Sequence, residues 1–119
     1  MTTLRFLFDE CTWPALIDGL RLQEPGIDIL RIGDAGAPPP HTPDPDLLLA
    51  AEAMGRAMVS NDKSSMPRHL VDHFVAGHHT AGVLLMRQGF SLGRYIQEIL
   101  TRYQTTTADE WIDRTEYIP

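Results

Sequence analysis

Carboxylates punctuate the first half of this chain at the ends of its apolar runs. Asp9 and Glu10 close "LRFLF" (4–8), Asp34 follows "IDILRI" (27–32), Asp46 lies at the start of "DPDLLLAAEAMG" (44–55), and Asp62 closes "RAMVSND" (56–62). A group of carboxylates held together is unfavourable unless some are protonated or a cation sits among them. Hard oxygen donors of this kind suit Mg²⁺ or Mn²⁺. An ion so held can activate water and stabilise a phosphodiester under attack. Polar side chains flank the last of these acids: Ser60, Asn61, Lys63, Ser64, Ser65 and Arg68, with Arg87 and Gln88 further on. Such groups can hold a phosphate or orient water. We take Asn61, Lys63, Ser64, Arg68 and Arg87 as candidate substrate-binding residues.

Simpler explanations weigh differently on each acid. The helix dipole alone favours an acid at Asp46, turn chemistry accounts for Asp34, and Glu10 can face solvent. Asp9 and Asp62 are the strongest candidates, because each closes an apolar strand.

The elements that position these groups alternate in character. "LRFLF" and "IDILRI" read as strands, and between them "WPALIDGLRLQ" (13–23) spaces Leu16, Ile17 and Leu20 helically behind Pro14. A proline- and glycine-rich loop (33–45) follows. Next comes the helix 44–55, for which we expect Asp44 as N-cap, Pro45 in the first turn and Gly55 as stop. "RAMVSND" supplies a third strand. The segment 66–77 reads as a helix with Leu70, Val71 and Phe74 on its apolar side, and "AGVLLM" (81–86) as a fourth strand. The segment 91–104 reads as a helix capped by Ser91, with Leu92, Ile96, Ile99, Leu100 and Tyr103 inward. Repeated strand and helix predict a single three-layer α/β/α domain over 1–104 with a four-stranded, mainly parallel sheet. Residues 105–119 are expected to form a C-terminal tail or docking segment. Right-handed crossovers place every strand's C-terminal end, and so the acids, on one edge of the sheet. Ligands bind at that edge in open α/β sheets, where the strand order reverses.

The 119 residues suffice for one core, burying about two-thirds of the unfolded surface. A net charge of −6 argues against a passive nucleic-acid binder, which carries a basic face, but not against an enzyme that meets phosphates through a metal ion. One cysteine, Cys11, excludes an internal disulfide and a cysteine zinc cluster. It stands beside acids that raise a thiol's pKa, so it is not expected to be catalytic. No signal peptide and no membrane span is read, and a cytoplasmic protein is expected. His69 and His73 lie four apart on one helix but lack a third ligand, so we expect surface histidines, and His78 and His79 are expected to face solvent.

Four stretches in order, "FLFDE", "DPDLLLAA", "GRAMVSND" and "GVLLMRQGFSLGRYI", resemble the DUF5615 family of PIN-like proteins over residues 4 to about 103. The family's opening "DE" corresponds to Asp9 and Glu10, its acidic helix start to Asp44-Pro45-Asp46, and its "V-T-R-D" to Val59-Ser60-Asn61-Asp62. The resemblance implies metal-dependent ribonuclease chemistry, with Mg²⁺ or Mn²⁺ held by Asp9, Glu10, Asp46 and Asp62, and with Asp9, Asp46 and Asp62 catalytic. It also implies RNA as substrate, an antitoxin-like protein as partner, and pairing of two copies, for which an exposed Trp111 would be suited. The sequence departs from the family pattern after Asp62, where Ser64 and Ser65 replace a second aspartate and an aromatic.

Three functions compete. The first is a metal-dependent endoribonuclease, toxin-like, using Asp9, Asp46 and Asp62. The second is a catalytically impaired PIN-like protein that acts as a binding or regulatory partner, which the Ser64 replacement and the acidic charge favour. The third is a phosphoacceptor switch of the receiver type, which also needs a lysine after a fifth strand; no such strand is read.

Overall fold

A computed structural model describes residues 2–62 and 64–119. The elements run β1 (Arg5–Phe8), α1 (Pro14–Gln23), β2 (Asp28–Arg31), α2 (Asp44–Met54), β3 (Ala57–Ser60), α3 (Met66–Val75), β4 (Val83–Met86), α4 (Leu92–Thr105), a 3₁₀ turn (Ala108–Trp111) and β5 (Thr115–Ile118). The five strands form one sheet in the order β2-β1-β3-β4-β5, and every pairing is parallel. The α/β class is as the sequence predicts, whereas the sheet has five strands and not four.

The alternation of side chains along each strand assigns the two layers. Phe6, Phe8, Val59, Leu84 and Met86 point to the face covered by α1 and α4, where they meet Leu16, Leu20, Ile96 and Ile99. Leu7, Met58, Val83 and Leu85 point to the opposite face, under Leu47, Leu48 and Ala51 of α2 and Met66 and Leu70 of α3. The central strands β3 and β4 are buried at every residue, as expected of strands covered on both sides.

The fifth strand is the main departure from the sequence reading. Of residues 105–119, expected as a tail or docking segment, Thr105 ends α4 and Thr115–Ile118 form the edge strand β5 of the sheet. Leu84 pairs with Glu116 and Met86 with Ile118, and Trp111 is 1% exposed within the α1/α4 layer. Its indole Nε1 donates to the Thr106 hydroxyl at 2.7 Å, so the ring is buried without an orphaned donor. Trp111 is therefore a core residue and offers no surface for pairing two copies.

Three local expectations also change. Asp44 is the first residue of α2 rather than its cap: Pro43 holds the cap position, and no side chain bonds the helix start. The buried face of α3 is Met66, Leu70 and His73, while Val71 is 59% exposed and Phe74 lies at the surface. His73, expected at the surface, is buried because its Nε2 meets the His79 carbonyl oxygen at 2.9 Å and lies 3.5 Å from Glu52 Oε1. His78 and His79 are exposed, and both sit beside carboxylates, Glu52 and Asp113. Two helix signals hold as read. Gly55 adopts φ +64° and ends α2, and Ser91 Oγ accepts from the Arg94 N–H at 3.2 Å to cap α4.

Candidate active site

In the order β2-β1-β3-β4-β5 the chain first steps outward from β1 to β2, then crosses back to β3 on the other side. The crevice at this reversal lies beyond the ends of β1 and β3. The loops leaving those two strands carry Asp9 and Asn61-Asp62.

Asp9 joins the two loops. Its Oδ2 accepts from the Asn61 backbone N–H at 2.8 Å, and its Oδ1 accepts from the Thr12 hydroxyl at 3.0 Å. The carboxylate is thus fixed from both sides, with lone pairs to spare, since each oxygen accepts only one of these bonds. Asp62 is held more completely. Its Oδ1 accepts from the Ser64 N–H at 3.2 Å, the Ser64 hydroxyl at 3.0 Å and the Ser65 N–H at 2.9 Å, and its Oδ2 accepts from the Ser65 hydroxyl. The Ser65 hydroxyl, then its backbone N–H, then the Ser64 donors hold the Asp62 carboxyl down at about 2.

A third carboxylate reaches these two, and it is Asp44. Its carboxyl is pushed above the ordinary carboxylate value, first by burial and then by the charge of Asp62, with a hydrogen bond to Asp62 and the charge of Asp9 adding. The His69 imidazole, whose Nε2 lies 3.9 Å from Asp44 Oδ2, opposes this. Asp62 therefore stays ionised while Asp44 takes up a proton first.

The structure separates the remaining sequence candidates. Asp46 is exposed in α2, off the buried face formed by Leu47, Leu48 and Ala51. Glu10 turns toward the proline-rich loop, where its Oε1 accepts from the His41 N–H at 2.9 Å. Asp34 accepts from the Arg31 N–H at 2.8 Å, which is turn chemistry. Asn61 stands between Asp9 and Asp62 with its backbone engaged, and the Ser64 hydroxyl is spent on Asp62. Arg68 is exposed in α3, and Lys63 lies outside the described residues. Arg87, after β4, donates from Nη1 to the Pro119 carbonyl at 2.7 Å and lies over the Tyr117 ring at 4.9 Å.

The residue that sequence reasoning missed, Asp44, had a signal. Counting by three and four from Asp44 reaches Leu47, Leu48 and Ala51, the buried face of α2. Asp46, two residues on, falls on the far side.

Next to Asp9 a cavity of about 300 Å³ opens, lined by Thr12, Trp13, Leu16, Asn61, Met86, Arg87, Gln88, Gly89 and Tyr95. Thr12 and Asn61, the two residues bonded to Asp9, form part of its wall.

Does the donor set fit a divalent ion? Among the described residues no group of three or more histidine, cysteine, aspartate or glutamate side chains is spaced to enclose one. Mg²⁺, however, is commonly held by one or two carboxylates, with waters and substrate phosphates completing its shell. Asp9 and Asp62, two hard anionic donors with a third carboxyl destabilised beside them, fit that requirement.

A parallel α/β sheet with acids at its topological switch point defines the class of site. Within that class the chain belongs to the PIN like domain family, whose model matches residues 4–69. The matched segment runs from β1 into α3 and contains Asp9, Asp44 and Asp62. No curated protein and no solved structure matches the chain. The fifth strand reads Thr-Glu-Tyr-Ile.

Proposed function

We propose that the chain is a metal-dependent endoribonuclease of the PIN-like type, with Asp9, Asp44 and Asp62 as its acidic cluster. The observation that carries this reading is the bond of 2.8 Å from the Asn61 N–H to Asp9 Oδ2, which ties the acid-bearing loops after β1 and β3 together at the topological switch point. Asp9 and Asp62 would hold Mg²⁺ or Mn²⁺, and the ion when bound supplies Lewis-acid polarisation of the phosphodiester. The protein's own part is preorganisation. Asn61 and Thr12 fix Asp9, and Ser64 and Ser65 keep Asp62 ionised at neutral pH. Arg68, exposed in α3, and Arg87, after β4, would supply positive charge for substrate phosphates. On this reading the chain acts as a toxin-like component neutralised by an antitoxin-like protein, which the resemblance seen in the sequence supports.

The test is cleavage of single-stranded RNA with Mn²⁺. The wild-type protein cuts and stops on chelation. Asp9→Asn loses more than the roughly 10–100-fold that removal of a ligand's own hydrogen-bond partner costs. Asp46→Asn cuts like wild type.

One observation favours a second reading, a PIN-like protein that binds without cutting. Ser64 and Ser65 together place four hydrogen bonds on Asp62, in competition with any cation. Absence of cleavage by both wild type and Asp9→Asn, with a partner retained by both, would favour it.

A further inference from the structure

The cavity beside Asp9 has a wall that the acidic cluster does not use. Trp13 is 54% exposed at its mouth, an unusual position for an indole, and its ring meets Tyr95 edge-on. Tyr95 is rigid: Trp13 and Phe90 meet its ring edge-on at centroid distances of 6.1 and 6.2 Å, and its hydroxyl donates to the Arg87 carbonyl oxygen. The same wall carries two carboxamide residues, Asn61 and Gln88, and Arg87. Among the described residues no carboxylate lines it.

We propose that this cavity binds the base of a single-stranded RNA nucleotide, stacked on Trp13 and hydrogen-bonded by Asn61 and Gln88. Aromatic faces joined to amide donors and acceptors are how proteins hold an unpaired base. An apolar side chain from a protein partner would leave both amides unpaired, at a desolvation cost. The volume, about 300 Å³, is at the lower end for a small-molecule site and excludes a docked helix. The position fits as well, since Thr12 and Asn61 belong both to the cavity wall and to the Asp9 hydrogen bonds. A nucleotide seated there puts its phosphate next to the acidic cluster. As a substrate subsite the cavity rests on the nuclease reading, but base binding itself needs no metal.

The experiment titrates the full chain, in EDTA, with the four nucleoside 5′-monophosphates and ribose 5-phosphate, following tryptophan fluorescence, and with indole by calorimetry, since free indole emits in the tryptophan band. The chain has two tryptophans, and Trp111 is buried, so quenching reports Trp13. The expected result is saturable quenching by at least one nucleotide and none by ribose 5-phosphate. By calorimetry, Trp13→Ala weakens that affinity about tenfold, Gln88→Ala weakens it by a smaller factor, and Asp46→Asn, at an exposed residue of α2 outside the cavity wall, leaves it intact. Failure of all four nucleotides to saturate, an equal response to ribose 5-phosphate, or tighter binding of indole would overturn the proposal. Nucleotide binding without RNA cleavage by the wild type retains the base site and removes the nuclease reading. Cleavage without nucleotide binding does the reverse.

Discussion

The carboxylate of Asp9 and the backbone N–H of Asn61 meet at 2.8 Å across the point where the strand order reverses. This bond ties the loop after β1 to the loop after β3, and it couples the site's geometry to the stability of the fold. Asp9→Ala leaves the Asn61 N–H without its partner and should cost about 1–3 kcal/mol in urea denaturation. Asp9→Asn retains an acceptor and should cost less.

The pH dependence of Asp62 has a definite direction. Its carboxyl titrates at about 2 in the folded protein, below the ordinary value of 3.8. The stabilisation this represents is complete above the ordinary value and is lost as pH falls through the folded one. Ser65→Ala removes the largest cause of the depression, so the Asp62 midpoint should rise toward 3.8 and acid destabilisation should begin at higher pH. A carbon-detected NMR titration of Asp62 in both proteins checks this. An unmoved midpoint would assign the depression to the backbone donors and the Ser64 hydroxyl.

Trp111 tests whether the C-terminal segment belongs to the fold. Trp111→Ala empties a fully buried site and should cost about 3–5 kcal/mol. Tyr117→Ala, at a ring left 41% exposed on the edge strand, should cost less than about 1 kcal/mol. Thermal melts of the two variants separate a docked tail, in which neither change matters, from a fifth strand closed over the core.

What was legible in the sequence follows from these particulars. The alternation of strand and helix up to α4 could be read because each element carries several apolar residues at its own period. The fifth strand could not, since only Ile118 of its four residues is buried and Trp111 anchors it from outside the strand. The convergence of Asp9 with Asp62 was readable from topology alone. Glu10 could not share the site, because it turns to the His41 N–H while Asp9 turns to Asn61. Asp44 was hidden by its resemblance to a helix cap, although its spacing to Leu47, Leu48 and Ala51 marked it as inward. The burial of His73 depends on Glu52, which lies on a different helix and gives no local signal.

The most direct test of the central claim is Mn²⁺ binding by calorimetry in the presence of phosphorothioate RNA, so that phosphates can complete the metal's shell. Wild type and Asp46→Asn should bind the ion, and the Asp9→Asn, Asp62→Asn double variant should not. Equal binding by the double variant, or none by the wild type, would contradict a metal centre at the β1/β3 crevice.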